Sequence, residues 1–247
     1  VVLKFDADGN LVTSFGGGMF LFPHGIHVDS EGNVWVTDAQ GPNGEDANRD
    51  GKGHAVYKFS PEGEVLLTLG EPGVAGDGSD HLLNTPNDVI TAPDGSIFVA
   101  DGHGGQSMLT PNNPTVTEGA TGRIMKFSAE GTFIKEGGQI GTEIGNFGTP
   151  HALEMDSEGR LFVADRGNHR IQIFDQDGNY LDSRYSYGRI SGIFITGDDM
   201  LYAIDSESSG TSHPNWMNGV RIGHVDEDRI TGFIPPFDAE NRPYQVA

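Results

Sequence analysis

The sequence has 247 residues, with 15 Lys and Arg against 36 Asp and Glu, which gives a formal net charge of −21 at pH 7. Charge of this sign and size repels nucleic acid and anionic membranes, which argues against both as partners. The absence of cysteine excludes disulfides, thiolate catalysis and Cys-based zinc sites.

No apolar run approaches the roughly 18 residues that a membrane-spanning helix needs, so we expect no membrane insertion. The acidic composition suits cation binding and an extracytoplasmic location, periplasmic or secreted, although solubility alone would also explain it.

Two phrases alternate along the chain. One is an apolar strand followed by an acidic Gly turn, and it occupies 2–9, 56–63, 124–131 and 171–178. The other is a pair of apolar strands that flank an acidic turn and end in Asp, at 25–38, 88–101, 152–165 and, more weakly, 193–205. Period-two patterning around such turns predicts antiparallel hairpins. Two hairpins per repeat predict an all-β fold, a β-propeller of four-stranded antiparallel blades.

The repeats predict a single β-propeller domain over 1–247. Residues 1–15 would supply the outer strands of a first blade, and four blades follow at 16–70, 71–137, 138–184 and 185–247. About four and a half blades fall short of a six-bladed ring. We expect a fragment of such a ring, or an assembly completed by another segment or by oligomerisation. The alternative is a complete five-bladed ring in which the N-terminal strands pair with the C-terminal segment.

Three insertions follow strand-ending aspartates, at 40–53, 103–122 and 206–219, and we expect them to be loops on one face of the blades. Within the first, the stretch from Asp46 to Gly51 resembles the start of a calcium loop, but Tyr57 stands where its last acidic ligand would lie. His54, His169 and His213 lie near loops at this face. The loop around His213 and Trp216 would line a substrate opening or be simply exposed.

Two repeats begin with a Pro-His pair, which contains His24 in one and His151 in the other. Equivalent positions of different blades point at a common axis, and neutral imidazole is a common zinc ligand. The repeats that start at Asn87 and Ser191 lack this histidine. The alternative role of both histidines is to satisfy backbone groups where the strands begin.

The stretch around His24 and the following Asp-x-x-Gly-Asn-x-Trp-Val-Thr-Asp phrase resemble peptidyl-α-hydroxyglycine α-amidating lyase and bacterial propellers with NHL repeats. The resemblance covers roughly residues 1–185. It implies a six-bladed propeller with zinc held by three histidines, of which His24 and His151 match two. The third would lie in a Pro-His-Asp motif that this sequence lacks.

The same resemblance implies further site residues. Arg166 matches a catalytic arginine that follows the repeat-ending Asp, although an ion pair with Asp165 or Glu158 is the alternative role. His103 replaces the family's tyrosine, and would act as a base or as a further metal ligand. The family's structural calcium is bound in part by a backbone oxygen equivalent to that of Ile26.

The leading hypothesis is a zinc-dependent, lyase-like enzyme that cleaves a carbinolamide to an amide and glyoxylate, with a small-molecule or peptide substrate. One alternative is a non-catalytic propeller that binds a ligand or protein through its loop face. The other is a lactonase-type propeller with calcium held by Asn87, Asp88 and Asp205, against which the paired Pro-His motifs argue.

Overall fold

The structure is a computed structural model that describes residues 1–41, 49–77, 81–104 and 119–236. The chain forms two compact units. The first comprises the described residues of 1–104, 119–121 and 125–136, and the second comprises those of 122–124 and 137–236.

The first unit begins with a two-stranded antiparallel sheet of β1 (Val2–Phe5) and β2 (Leu11–Phe15). A four-stranded sheet follows in chain order, with strands β3 (Pro23–Val28), β4 (Val34–Asp38), β5 (Ala55–Phe59) and β6 (Val65–Leu69). The next sheet is again ordered as in the chain and has strands β7 (Pro86–Thr91), β8 (Ile97–Asp101), β9 (Arg123–Phe127) and β10 (Phe133–Gly137).

The second unit contains two more four-stranded sheets. One has strands β11 (Pro150–Met155), β12 (Leu161–Asp165), β13 (Arg170–Phe174) and β14 (Tyr180–Arg184), with a 3₁₀ turn at Arg166–Asn168 between its second and third strands. The other has strands β15 (Ile190–Ile195), β16 (Met200–Asp205), β17 (Gly219–His224) and β18 (Ile230–Ile234). Neighbouring strands in both sheets are antiparallel.

The predicted all-β architecture of four-stranded antiparallel blades is confirmed. Each predicted blade range contains one such sheet, because the alternation of apolar and polar residues sets the strands and the Gly turns set the hairpins. The single-domain assignment and the closure of a ring stay predictions. The final segment, 237–247, lies outside the described residues.

Each unit has an apolar core between its two four-stranded sheets. In the first unit this core includes Trp35, Val89, Ile97, Met125 and Phe127, all at most 2% exposed. In the second it includes the fully buried side chains of Phe162, Ile171, Tyr187, Ile190 and Leu201. Burial of such side chains, at about 25 cal/mol per Å² of apolar surface, is the main force that packs one blade on the next.

The first hairpin of each blade turns through a residue with positive φ. Gly32, Gly95 and Gly159 have φ values of 84°, 86° and 77°, where a side chain is unfavourable. In the fourth blade Asp199 takes this conformation with φ 61°. Its carboxylate accepts hydrogen bonds from the backbone and hydroxyl of Ser157 in the preceding blade, so the departure from glycine adds a link between blades.

The aspartate that ends each second strand anchors the start of its blade. The buried carboxylates of Asp38, Asp101, Asp165 and Asp205 accept hydrogen bonds from backbone N–H groups 16 or 17 residues earlier. Those N–H groups lie just before the first strand of the same blade. The repeated Asp therefore fixes the backbone at which the candidate site residues begin.

Candidate functional site

His24 and His151 are held in the same way, each within its own unit. Each is the second residue of the first strand of its blade. The Nδ1 atom of His24 lies 2.8 Å from the backbone oxygen of Asn87, and that of His151 lies 2.8 Å from the backbone oxygen of Ser191. Because a carbonyl only accepts hydrogen bonds, Nδ1 carries the proton, and in the neutral ring the lone pair is on Nε2. Both rings are therefore in the tautomer that binds a metal through Nε2.

His103 lies beside His24 in the first unit. Its backbone N–H donates to the oxygen of Thr85, the residue just before β7. The ring centroids of His103 and His24 are 4.8 Å apart, and a ring nitrogen of one lies within 4.8 Å of a ring nitrogen of the other. Phe22 flanks both rings at 5.6 and 5.8 Å between centroids. The first unit thus places the imidazoles of His24 and His103 next to each other and beside the ring of Phe22.

Arg166 is buried in the second unit and paired with a carboxylate. Its Nη1 lies 3.3 Å from Oε1 of Glu207, and its side chain is 3% exposed. Burial, the largest cause, lowers the pKa of Arg166 against the opposing charge of Glu207, and with the smaller lowering effect of Arg189 the pKa is about 10. The ion-pair partner that the structure shows for Arg166 is Glu207, whereas the alternative drawn from the sequence named Asp165 or Glu158. The carboxylate of Asp165 is bound by Arg170 at 2.8 Å, and Glu158 lies near Arg160.

Sequence reasoning missed Arg189, which shares this site. Its Nη2 lies 3.2 Å from Oε2 of Glu207, and its Nη1 lies 3.4 Å from Nε2 of His169. A signal was present, because Arg189 stands two residues before Ser191, where the other repeats have Phe22, Thr85 and Thr149. A cation at a position where the other repeats are uncharged marks a departure from the repeat.

Asp205, a calcium ligand in the lactonase hypothesis, is a structural anchor. Its carboxylate is fully buried and accepts from the backbone of Arg189 at 3.1 Å and from the hydroxyl of Ser208 at 2.6 Å. Nη1 of Arg221 lies 3.3 Å from the same carboxylate. With these donors in place the carboxylate is committed to the fold, so we assign it no metal.

The loop histidines differ in role. His54 is 7% exposed, and its Nδ1 accepts a hydrogen bond from the backbone of Thr85 at 3.0 Å, which makes it structural. His213 stacks between His169 and Trp216, with ring centroids 4.1 and 4.5 Å away. The calcium-like stretch predicted from Asp46 begins at positions that lie outside the described residues.

His169 makes stability depend on pH. Burial, the neighbouring His213 and the charge of Arg189 lower its pKa to about 4, while Asp205 opposes them. A histidine with a lowered pKa stabilises the fold fully above its unfolded pKa of about 6.5, and this contribution is lost as the pH falls towards 4.

The replacement His169→Asn should reduce the loss of stability at low pH. Asn tolerates the φ of 56° at this position but does not titrate. We expect the urea midpoint of the parent protein to fall more between pH 7 and pH 4.5 than that of the variant. Parallel falls in the two proteins would show that His169 is not the group that titrates.

Four-stranded antiparallel blades that each carry an aspartate anchor, two of them with a histidine where the first strand begins, define an NHL-type β-propeller protein. The NHL repeat family matches residues 147–174. Over 249 residues the chain is 31% identical to peptidyl-glycine alpha-amidating monooxygenase B of Xenopus laevis. The alignment covers 96% of this chain and 25% of the relative. Over 242 residues it is 31% identical to the probable peptidyl-alpha-hydroxyglycine alpha-amidating lyase pgal-1 of Caenorhabditis elegans, with coverage of 87% and 60%.

The chain carries an NHL repeat and is homologous to the peptidyl-α-hydroxyglycine α-amidating lyases. It spans a quarter of the length of the Xenopus relative. Among solved structures, a gluconolactonase of Xanthomonas campestris superposes with a TM-score of 0.56 and 19% identity, over 86% of this chain and 62% of that one. That likeness shows the fold. Within the described residues, no helix is long and apolar enough to cross a bilayer.

Proposed function

We propose that this protein is a zinc-dependent lyase that cleaves a carbinolamide of the peptidyl-α-hydroxyglycine type to an amide and glyoxylate. The reaction breaks the bond between the amide nitrogen and the hydroxyl-bearing carbon. The hydroxyl loses its proton and becomes the aldehyde oxygen of glyoxylate. The electron pair of the broken bond moves to nitrogen, which takes up a proton, so no oxidant or reductant is needed.

The observation that carries the proposal is the shared tautomer of His24 and His151. In each unit Nδ1 is held 2.8 Å from a backbone oxygen, which leaves Nε2 as the donor atom. Imidazole nitrogen fits zinc, and a second-sphere carbonyl that fixes the ring is usual for such ligands. Each of His24, His103 and His151 offers one ring nitrogen as a ligand. A bound zinc ion supplies Lewis acidity that lowers the pKa of the substrate hydroxyl.

We assign His103 as the third protein ligand in preference to a base. Its ring lies 4.8 Å from that of His24 between centroids, and its backbone is fixed by Thr85. In this role it would replace the histidine of the Pro-His-Asp motif that the sequence lacks. The competing role, a base in the place of the family's tyrosine, makes a different prediction for zinc affinity.

Arg166 is proposed to hold the substrate carboxylate. A guanidinium donates paired hydrogen bonds to a carboxylate, and such charge-assisted bonds are strongest where water is excluded. Arg166 meets the second condition, since its side chain is 3% exposed. The proposal also places the protein outside the cytoplasm, which the net charge of −21 suits.

The test is glyoxylate release from N-benzoyl-α-hydroxyglycine by the protein with and without added zinc. We expect release that requires zinc and disappears in Arg166→Ala. The variant His103→Tyr separates the two roles of His103. A ligand role predicts a zinc affinity lower by at least about tenfold, whereas a base role predicts unchanged affinity with activity retained. No glyoxylate from the zinc-loaded protein would contradict the lyase and favour a non-catalytic binding propeller.

A further inference from the structure

Glu207 bridges the two buried arginines of the second unit. One carboxylate oxygen lies 3.3 Å from Nη1 of Arg166, and the other lies 3.2 Å from Nη2 of Arg189. The arginine side chains are 3% and 10% exposed, whereas that of Glu207 is 36% exposed. Within this trio the carboxylate is the member that solvent reaches. A ligand from solution would therefore meet Glu207 before the guanidinium groups.

Arg189 is only partly satisfied by this bridge. The Nε–H and Nη2 groups of a guanidinium lie along one edge, and that edge binds a carboxylate through two parallel hydrogen bonds. Glu207 uses Nη2. Among the residues that the structure describes, the buried Nε–H of Arg189 has no hydrogen-bond acceptor. A buried donor without an acceptor is destabilising, and a suitably placed ligand oxygen would remove that cost.

The neighbours of Arg189 hold it in place. Its backbone N–H donates to Asp205, and its Nη1 lies 3.4 Å from Nε2 of His169. The lowered pKa of His169 keeps this imidazole neutral near pH 7, so that Nε2 can accept a hydrogen bond. The stacking of His169 on His213 fixes the ring plane. The guanidinium is thus positioned before any ligand arrives, which lowers the entropic cost of binding.

The repeat places Glu207 at a position of the blade that carries other candidate site residues. It stands two residues after Asp205, as His103 stands two residues after Asp101. In a chain with a net charge of −21, the two buried arginines around one carboxylate form a local positive charge that favours an anion.

We propose that Arg166 and Arg189 together form a carboxylate-binding subsite, and that Glu207 is an internal carboxylate that competes with the ligand for it. This inference rests on the proposed function for the identity of the ligand, the carboxylate of an N-acylglycine. Arg189 would then be a specificity-determining residue, and displacement of Glu207 would accompany binding.

The experiment measures the binding of N-benzoylglycine, which lacks the hydroxyl and cannot be cleaved, by titration calorimetry at fixed ionic strength. The variant Glu207→Gln keeps the shape of the side chain but removes its charge. A neutral acceptor competes less well than a charged one, so we expect binding about tenfold tighter than in the parent protein. Arg189→Gln should weaken binding by at least about tenfold, since two hydrogen bonds from a cation are lost.

Glu158→Gln is the matched control, because it removes the same charge from an exposed carboxylate near Arg160. Its affinity should equal that of the parent protein. Binding by Glu207→Gln that is no tighter than that of the control, or no binding by either, would overturn the inference. If Glu207→Gln fails to fold, unchanged binding by Arg189→Gln would overturn it as well.

The binding assay separates this inference from the lyase proposal. Tighter binding by Glu207→Gln without glyoxylate release in the parent protein would support the subsite and contradict the reaction. Glyoxylate release without any effect of Glu207→Gln on binding would support the reaction and contradict the subsite.

Discussion

Replacing both His24 and His151 with alanine is expected to abolish zinc binding. Loss of a group that only orients a metal ligand already lowers metal affinity about 10–100-fold. Loss of two ligands should lower the affinity by more than about 100-fold. The measurement is a zinc titration after dialysis, with bound metal counted by mass spectrometry. We expect about one zinc per chain in the parent protein and none above background in the double variant.

The control for this result is His224→Ala, which removes an imidazole from β17. The side chain of His224 is 42% exposed, and its neighbour is Asp226. Zinc content in this variant should match the parent protein. Zinc retained by the double variant would show that the metal lies elsewhere. Calcium without zinc in the parent protein would favour the lactonase hypothesis, and no metal in the parent protein would favour a non-catalytic propeller.

Asp165→Ala is expected to lower the free energy of unfolding by about 3–5 kcal/mol, because it leaves the buried guanidinium of Arg170 without its carboxylate. Asp165 accepts from Gly148 at 2.7 Å, from Asn168 and Arg170 at 2.8 Å, and from Gln172 at 3.1 Å. The measurement is urea unfolding at pH 7. Because Gly148 lies just before β11, zinc affinity should fall too.

Asp175→Ala is the matched control in the same unit. Asp175 accepts hydrogen bonds from the backbone of Asp177 and Asn179 across a hairpin turn, with no arginine in those contacts. We expect a loss of about 1 kcal/mol, typical of hydrogen bonds at a partly exposed turn. Equal losses in the two variants would show that the buried ion pair adds nothing to the anchor.

The aspartate anchor of a blade helps to position the candidate site histidine. The aspartate that closes a blade fixes the backbone just before its first strand, and the second residue of that strand carries the histidine. A neighbouring blade then supplies the carbonyl that selects the tautomer. The repeated fold of the blades therefore places His24 and His151 in the same chemical environment. The blades without this histidine keep the aspartate anchor.

The sequence by itself determined the strands, the hairpins and the equivalence of His24 with His151. These follow from local rules, since alternation sets the faces of a strand and glycine permits the turn. Arg166 and His103 were marked only by the resemblance to the amidating lyases, which places site residues after a strand-ending aspartate of the repeat.

The tertiary structure alone decided which of these side chains meet. Glu207, in the loop after β16, pairs with Arg166 of the preceding blade and with Arg189, and no local pattern encodes these contacts. The same holds for the surroundings of His54 and His24. One is buried as an acceptor for Thr85 and the other is half-buried beside His103. Burial and partner depend on the packing of neighbouring blades, and packing is a property of the folded chain.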